Sequence, residues 1–201
     1  MIKTILFDFG GVFFASFSNP WKGNVRSATE VKRLKDPVTR ILENNWEKIT
    51  ARVFGREELK QAILELNTYT DAEIEELLNS LTSINNYVLD LAKTLKNRGL
   101  ILCSLNNERP LWTDFWRMYF SLDNIFNRYF VSCEIGHKKP NPEIYQHVLT
   151  QLNLQGKYCF FIDDKKENIE AAREFGITTH HFQDISARDL KTALQKLKII
   201  K

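Results

Sequence analysis

Two textures of apolar and polar residues alternate along this chain. It opens on "TILFDFGGVFF", in which residues 2 to 8 predict a strand ending on a single aspartate, Asp8, before two glycines. From residue 16 to about 86 the apolar positions recur at helical intervals instead. "DPVTRILENNWEKITARVF" puts Val38, Ile41, Leu42, Trp46 and Ile49 on one face, and "GREELKQAILEL" does the same with Leu59, Ile63 and Leu66. "TYTDAEIEELLNSL" begins with a capping box, Thr70 as N-cap and Glu73 three residues on, ahead of Ile74, Leu77, Leu78 and Leu81. No part of this block reads as a strand.

Beyond residue 86, short apolar runs alternate with helical patterns. "NYVLDLAKTLKNRG" predicts a helix closed by Gly99, and "LILCS" a strand ending at Ser104. "NNERPLWTDFWRMYF" reads as a packed helix and "FVSCE" as a strand. "PNPEIYQHVLTQL" is a helix with proline in its first turn, and "YCFFID" a strand ending at Asp163 and Asp164. "KENIEAAREFG" is a helix closed by Gly176, "ITTHHF" a strand, and "SARDLKTALQKL" a last helix capped by Ser186. Continuous apolar strands separated by helices predict a parallel sheet with helices on both faces, an α/β, Rossmann-like core. The core takes residues 1–15 and 86–201, and residues 16–85 form a small all-helical insertion after the first strand.

Composition narrows the function classes. A length of 201 residues, 43% hydrophobic and 26% charged, suits one globular core with an insertion. The net charge of +3 is spread over basic residues that sit among acids, which argues against a nucleic-acid surface. No run approaches the ~20 apolar residues of a membrane span, and Asp8 interrupts the N-terminal run where a signal peptide stays uncharged. Three cysteines without a CxxC pair, two of them in strand-like runs, predict reduced thiols and a cytoplasmic setting.

The conspicuous polar residues fall at the carboxyl ends of the predicted strands, where open parallel sheets bind ligands. Asp8, Ser104, Asp163 and Asp164 end strands, and Lys139 in "GHKKPNPEIY" follows another. Three crowded carboxylates repel one another unless a cation holds them. Oxygen ligands favour a hard ion, Mg²⁺. Ser104 and Lys139 can then bind phosphate oxygens while Asp8 attacks phosphorus.

On "FDFGGV", "LILCS", "KKPNPEIY" and "FIDDKKENIEAA", in this order, the chain resembles the haloacid dehalogenase-like superfamily of phosphohydrolases. The last two motifs are especially similar to a bacterial subgroup that includes phosphatases of α-glucose 1-phosphate. The resemblance covers residues 1 to 14 and about 86 to 185, and makes the helical insertion a cap over the site. It implies that Asp8 is nucleophile and metal ligand and that Gly10 ligates through its carbonyl and gives the loop conformational freedom. Ser104, Asn106 and Lys139 would bind the phosphoryl group. Asp163 and Asp164 would hold Mg²⁺, Asp164 directly, with Asn168 bracing them.

Two positions depart from the family pattern. Gly10 stands where many members carry a general acid/base aspartate, and Leu105 where an asparagine often follows the hydroxyl residue. The expected activity is Mg²⁺-dependent hydrolysis of a small phosphorylated metabolite, a sugar phosphate being one class, through an aspartyl-phosphate on Asp8. The alternative is a catalytically impaired phosphate-binding protein. A phospho-receiver fits poorly because its acidic pair precedes the phosphorylated aspartate, and a metal-free dehalogenase fits poorly with paired acids. The expected assembly is a monomer or weak homodimer. Trp21, Lys22, Trp46 and Arg52 are candidates to face the substrate from the cap, Asn107 to touch it, and His137 to supply a proton.

Overall fold

The computed structural model describes residues 1–15, 28–51 and 53–200, apart from the side chains of residues 28–32 and 80. Among the described residues five strands form one all-parallel sheet: β1 (Thr4–Phe7), β2 (Ile101–Asn106), β3 (Arg128–Val131), β4 (Cys159–Asp163) and β5 (Thr178–His181). Their spatial order is β3-β2-β1-β4-β5, so the first strand lies at the centre. Phe7, the last residue of β1, sits level with Ser104 of β2 and Ile162 of β4.

The two-residue period of a strand sends neighbouring side chains to opposite faces. Ile5, Phe7, Leu102, Phe160 and Ile162 join one apolar cluster, and Leu6, Cys103, Leu105, Cys159 and Phe161 join the other. Helices α5 (Asn86–Asn97), α6 (Pro110–Tyr119) and α10 (Arg188–Lys196) cover the first face. Helices α8 (Pro142–Leu152) and α9 (Lys166–Glu174) cover the second, while α7 (Ser132–Ile135) is a single turn after β3. Between β1 and α5 lie α1 (Ala28–Asn44), α2 (Trp46–Thr50), α3 (Arg56–Leu64) and α4 (Asp71–Thr82). Their apolar faces, Val38, Leu42, Leu59, Ile63, Leu77 and Leu81 among them, merge with Trp112 and Trp116 of α6 into the first cluster.

Several local expectations hold. Thr70 and Glu73 form the capping box of α4, and Gly99 after α5 takes a left-handed φ of 82°. All three cysteines are free thiols. Among the described residues no helix is long and apolar enough to cross a membrane.

Other boundaries move, each for a visible reason. β2 does not end at Ser104, because Leu105 and Asn106 still pair with Phe130 and Val131 of β3. β3 ends at that same rung, so "SCE" turns into α7 instead of extending the strand. The helical pattern that begins at Asp36 in the sequence extends back to Ala28 and runs through Pro37. It breaks at Asn45, whose side chain donates to the Ile41 carbonyl at 2.9 Å. Ser186 does not cap α10. Its N–H and hydroxyl both turn to the Asp184 carboxylate, and Ala187 precedes the helix.

Candidate active site

The loop after β1 sets the site. The Asp8 N–H continues the ladder by donating to the Ile162 carbonyl at 2.9 Å. The chain then turns on the Phe9 carbonyl, which accepts from the N–H groups of Val12, Phe13 and Phe14. Phe9, Phe13 and Phe14 are fully buried. Phe9 meets Phe126 edge-on at 5.3 Å between ring centroids, and Phe14 stacks on Trp116 at 4.6 Å. This aromatic block fixes the loop beneath the one charged side chain it carries.

Gly11, not Gly10, provides the left-handed backbone, with φ of 83°. It also provides space: a Cβ there would collide with the Asp164 carboxylate. The conformational role that the sequence suggested for Gly10 therefore falls on its neighbour. A glycine lets the loop after β1 lie against the carboxylate beyond β4 without backbone strain or a shift of that side chain.

Asp8, Asp163 and Asp164 bring carboxylate oxygens within 4.8 Å of one another. Lys139 enters this cluster almost completely buried, at 3% exposure. Its Nζ lies 3.0 Å from Oδ1 of Asp8 and 2.7 Å from Oδ2 of Asp163. Burial pushes the Asp8 carboxyl well above its ordinary value; Lys139 pulls it down, and Asp163 and Asp164 push it up further. Burial works against the Lys139 ammonium, but Asp163 and then Asp8 outweigh it and hold its pKa above the ordinary value.

The two adjacent acids differ. Asp163 is sealed from solvent, and both of its oxygens are in use. Oδ1 accepts from the Lys165 N–H at 2.8 Å and from Asn168 at 2.9 Å. Oδ2 accepts from Lys139 and from Asn168 at 3.0 Å. Asp164 is half-buried, and its backbone carbonyl accepts from His181 Nε2 at 3.0 Å.

On the β2 side, Ser104 is fully buried one layer below the rim. Its hydroxyl accepts from the Asn106 amide at 3.0 Å, and Oδ1 of Asn106 accepts from the Phe9 N–H at 3.1 Å. Asn106 therefore lies between Ser104 and the Asp8 loop. Leu105 points the other way, into the second apolar cluster.

The remaining candidates separate. Asn107 bonds the backbone of Lys139. His137 is exposed, and Trp46 is half-buried against the first apolar cluster. Trp21, Lys22 and Arg52 lie outside the described residues. Tyr145, whose hydroxyl donates to the Asn168 carbonyl at 2.9 Å, carries no distinguishing sequence signal because it lies on the apolar face of α8. Gly11 was hidden by its twin, since a glycine pair does not say which member carries the positive φ.

A profile of haloacid dehalogenase-like hydrolases matches residues 2–176. The rat bifunctional epoxide hydrolase 2 is 31% identical over 137 residues, 65% of this chain but only 23% of that protein. The chain thus spans about a quarter of that relative's length. A sesquiterpene phosphatase of Aspergillus oryzae is 28% identical over 186 residues, covering 90% of each chain. A haloacid dehalogenase family enzyme of Bacteroides thetaiotaomicron, solved as a magnesium complex, is 25% identical, covers 90% of this chain and 93% of its own, and superposes with a TM-score of 0.54.

Proposed function

Because the chain belongs to the haloacid dehalogenase-like hydrolases, we propose that it is a Mg²⁺-dependent phosphatase of a small phosphomonoester. The observation that carries this reading is the buried triangle of Asp8, Lys139 and Asp163 with Asp164 beside it. A metal-free dehalogenase has no use for three carboxylates whose oxygens lie within 4.8 Å of one another. A phosphatase does, because a divalent ion offsets their repulsion and binds phosphate oxygens. The phosphatase name borne by the fungal relative supports the same class.

The all-oxygen donor set fits Mg²⁺. Asp8 and Asp164 would hold it with the Gly10 carbonyl, and when bound it would neutralise charge on the transferring phosphoryl group. Asp163 has both oxygens in use, so in this reading it anchors Lys139 and does not ligate directly. Residues 16–85 form the cap, and its described part is the helical layer α1–α4.

The steps follow from these placements. A carboxylate oxygen of Asp8 forms a bond to phosphorus, and the bond from phosphorus to the alcohol oxygen breaks. Lys139 and the Asn106 amide, positioned by Ser104, hold the non-bridging oxygens. Water then attacks phosphorus of the aspartyl-phosphate and the bond from phosphorus to the Asp8 oxygen breaks, releasing inorganic phosphate and restoring Asp8; the alcohol oxygen takes its proton from solvent, which the proton lost by the attacking water balances. Position 10 provides no acid for the departing alkoxide. The reading therefore favours substrates whose leaving oxygen is weakly basic, such as an anomeric sugar phosphate, over simple alkyl phosphates. A missing general acid costs ~10²–10⁴-fold with a basic leaving group.

The test is phosphate release from sugar phosphates, an allylic phosphate and simple alkyl phosphates, with Mg²⁺ or EDTA, beside Asp8→Asn. Metal-dependent turnover that falls to background in the variant supports the phosphatase. Gly10 is the one feature that favours the second reading, a phosphate-binding protein. Wild-type silence across the panel, with phosphate and Mg²⁺ still bound, would favour that reading.

A further inference from the structure

We propose that Asn107 is a positioning residue for Lys139, an inference that rests on the phosphatase reading. Lys139 lies on a segment whose other members, from Gly136 to Asn141, are all exposed. An exposed loop is a poor platform for a side chain that must enter a buried charge cluster.

Asn107 supplies the missing anchor. Its Oδ1 accepts from the Lys139 N–H at 2.8 Å, and its Nδ2 donates to the Lys139 carbonyl at 2.7 Å. Both backbone groups of one residue are thus held by one planar amide, across 32 positions of sequence. The amide suits this task because it is donor and acceptor at once. It is committed to the loop and not offered to substrate, although Asn107 is itself exposed.

The anchor is fastened to the site from its other side. Asn106 ends β2 and accepts from the Phe9 N–H, directly after Asp8. Adjacent asparagines therefore tie the nucleophile loop and the lysine loop to one strand end. A cavity of about 550 Å³ lined by Asn107, His137, Lys138 and Asn141 opens beside the clamp.

The experiment measures Lys139 directly. Pulsed amine acylation with mass spectrometry is run on the full-length wild type, Asn107→Leu and Asn107→Asp, with exposed Lys138 and Lys165 as internal references. Asn107→Leu removes both bonds; Asn107→Asp keeps the acceptor for the Lys139 N–H. The clamp predicts that Lys139 labelling rises at least about tenfold in the leucine variant and less in the aspartate variant. In parallel kcat falls on the order of 10²-fold with little change in KM, since a small misplacement has that effect. Partial recovery of kcat is expected in Asn107→Asp.

Labelling of Lys139 that stays at the wild-type level overturns the inference whatever activity does. Increased labelling with kcat intact also overturns it. If Asn107→Leu does not fold, the graded comparison of wild type and Asn107→Asp decides by the same criteria. If the wild type hydrolyses nothing, the phosphatase reading fails, and labelling alone still tests the clamp.

Discussion

Lys139–Asp8 and Arg109–Asp36 are ion pairs of nearly equal length, 3.0 and 2.9 Å. The first pair's side chains are 1% and 11% exposed, the second pair's 51% and 35%. Each joins segments far apart in the chain. In water the exposed pair is screened and each partner stays solvated when the other is lost. The buried pair has no such refuge, and two further carboxylates crowd it. A buried pair is weak evidence of stabilisation, because desolvation can exceed the Coulombic gain. Pairing alone therefore says little about function. Burial of an acid cluster around a single lysine is the informative feature, and it occurs where the strands end.

The largest effect expected from this contrast is that of Lys139→Met. It leaves Asp8 and Asp163 buried without their cation, a class of change that costs about 3–5 kcal/mol. Urea unfolding checks it. The deficit should also depend on pH. Burial holds the folded-state pKa of Asp8 above its unfolded value, so the folded state binds that proton more tightly. The resulting stability is fully present below the ordinary carboxylate value and is lost as pH rises through the raised one. Removing Lys139 removes the main lowering influence on Asp8. The variant's deficit should therefore be smaller at pH 5 than at pH 8. An equal deficit at both values would break the link between burial and charge.

Next in size is Gly11→Ala, which disturbs the buried cluster without altering its charges. The left-handed backbone costs an alanine roughly 1–2 kcal/mol. The added methyl also presses on the Asp164 carboxylate, with which a Cβ would collide. Calorimetric titration with Mg²⁺ should show affinity about tenfold weaker than wild type, with Gly10→Ala closer to normal. A reversed order of the two variants would return the conformational role to Gly10.

The fold was legible because its signals are local and redundant. The continuous apolar runs of "TILF" and "CFFID" become the central strands β1 and β4, and the alternation of their neighbours with helices becomes the parallel sheet. Asp8, Asp163 and Asp164 could be brought together on paper because parallel strands all present the same end. What stayed hidden depends on partners that no short stretch contains. Ser104 looks like a strand end until Asn106 is seen to pair with Val131. The resemblance favours Asp164 over Asp163 as the direct ligand, but the physical reason shows only when Asn168, Lys165 and Lys139 are seen to fill both oxygens of the first. Asn107 resembles a substrate contact until its amide is found on the Lys139 backbone. The helical pattern quoted from Asp36 is only the later part of α1, which begins at Ala28 and continues through Pro37, packed through Leu34 and Val38 on either side.

The smallest expected effect comes from the exposed partner in the comparison. Arg109–Asp36 links α1 to the residue that precedes α6, so a double-mutant cycle with Asp36→Asn and Arg109→Gln isolates it. The coupling should be at most about 1 kcal/mol and should shrink between 0.05 and 0.5 M salt, as exposed pairs do. Lys35–Glu108 and the Trp112 indole N–H to Thr39 hydroxyl bond, at 3.1 Å, join the same surfaces and keep them together in the variants. A salt-insensitive coupling of several kcal/mol would mean that this pair behaves like Lys139–Asp8 despite its exposure. The contrast between the regions would then rest on networks of contacts and not on burial.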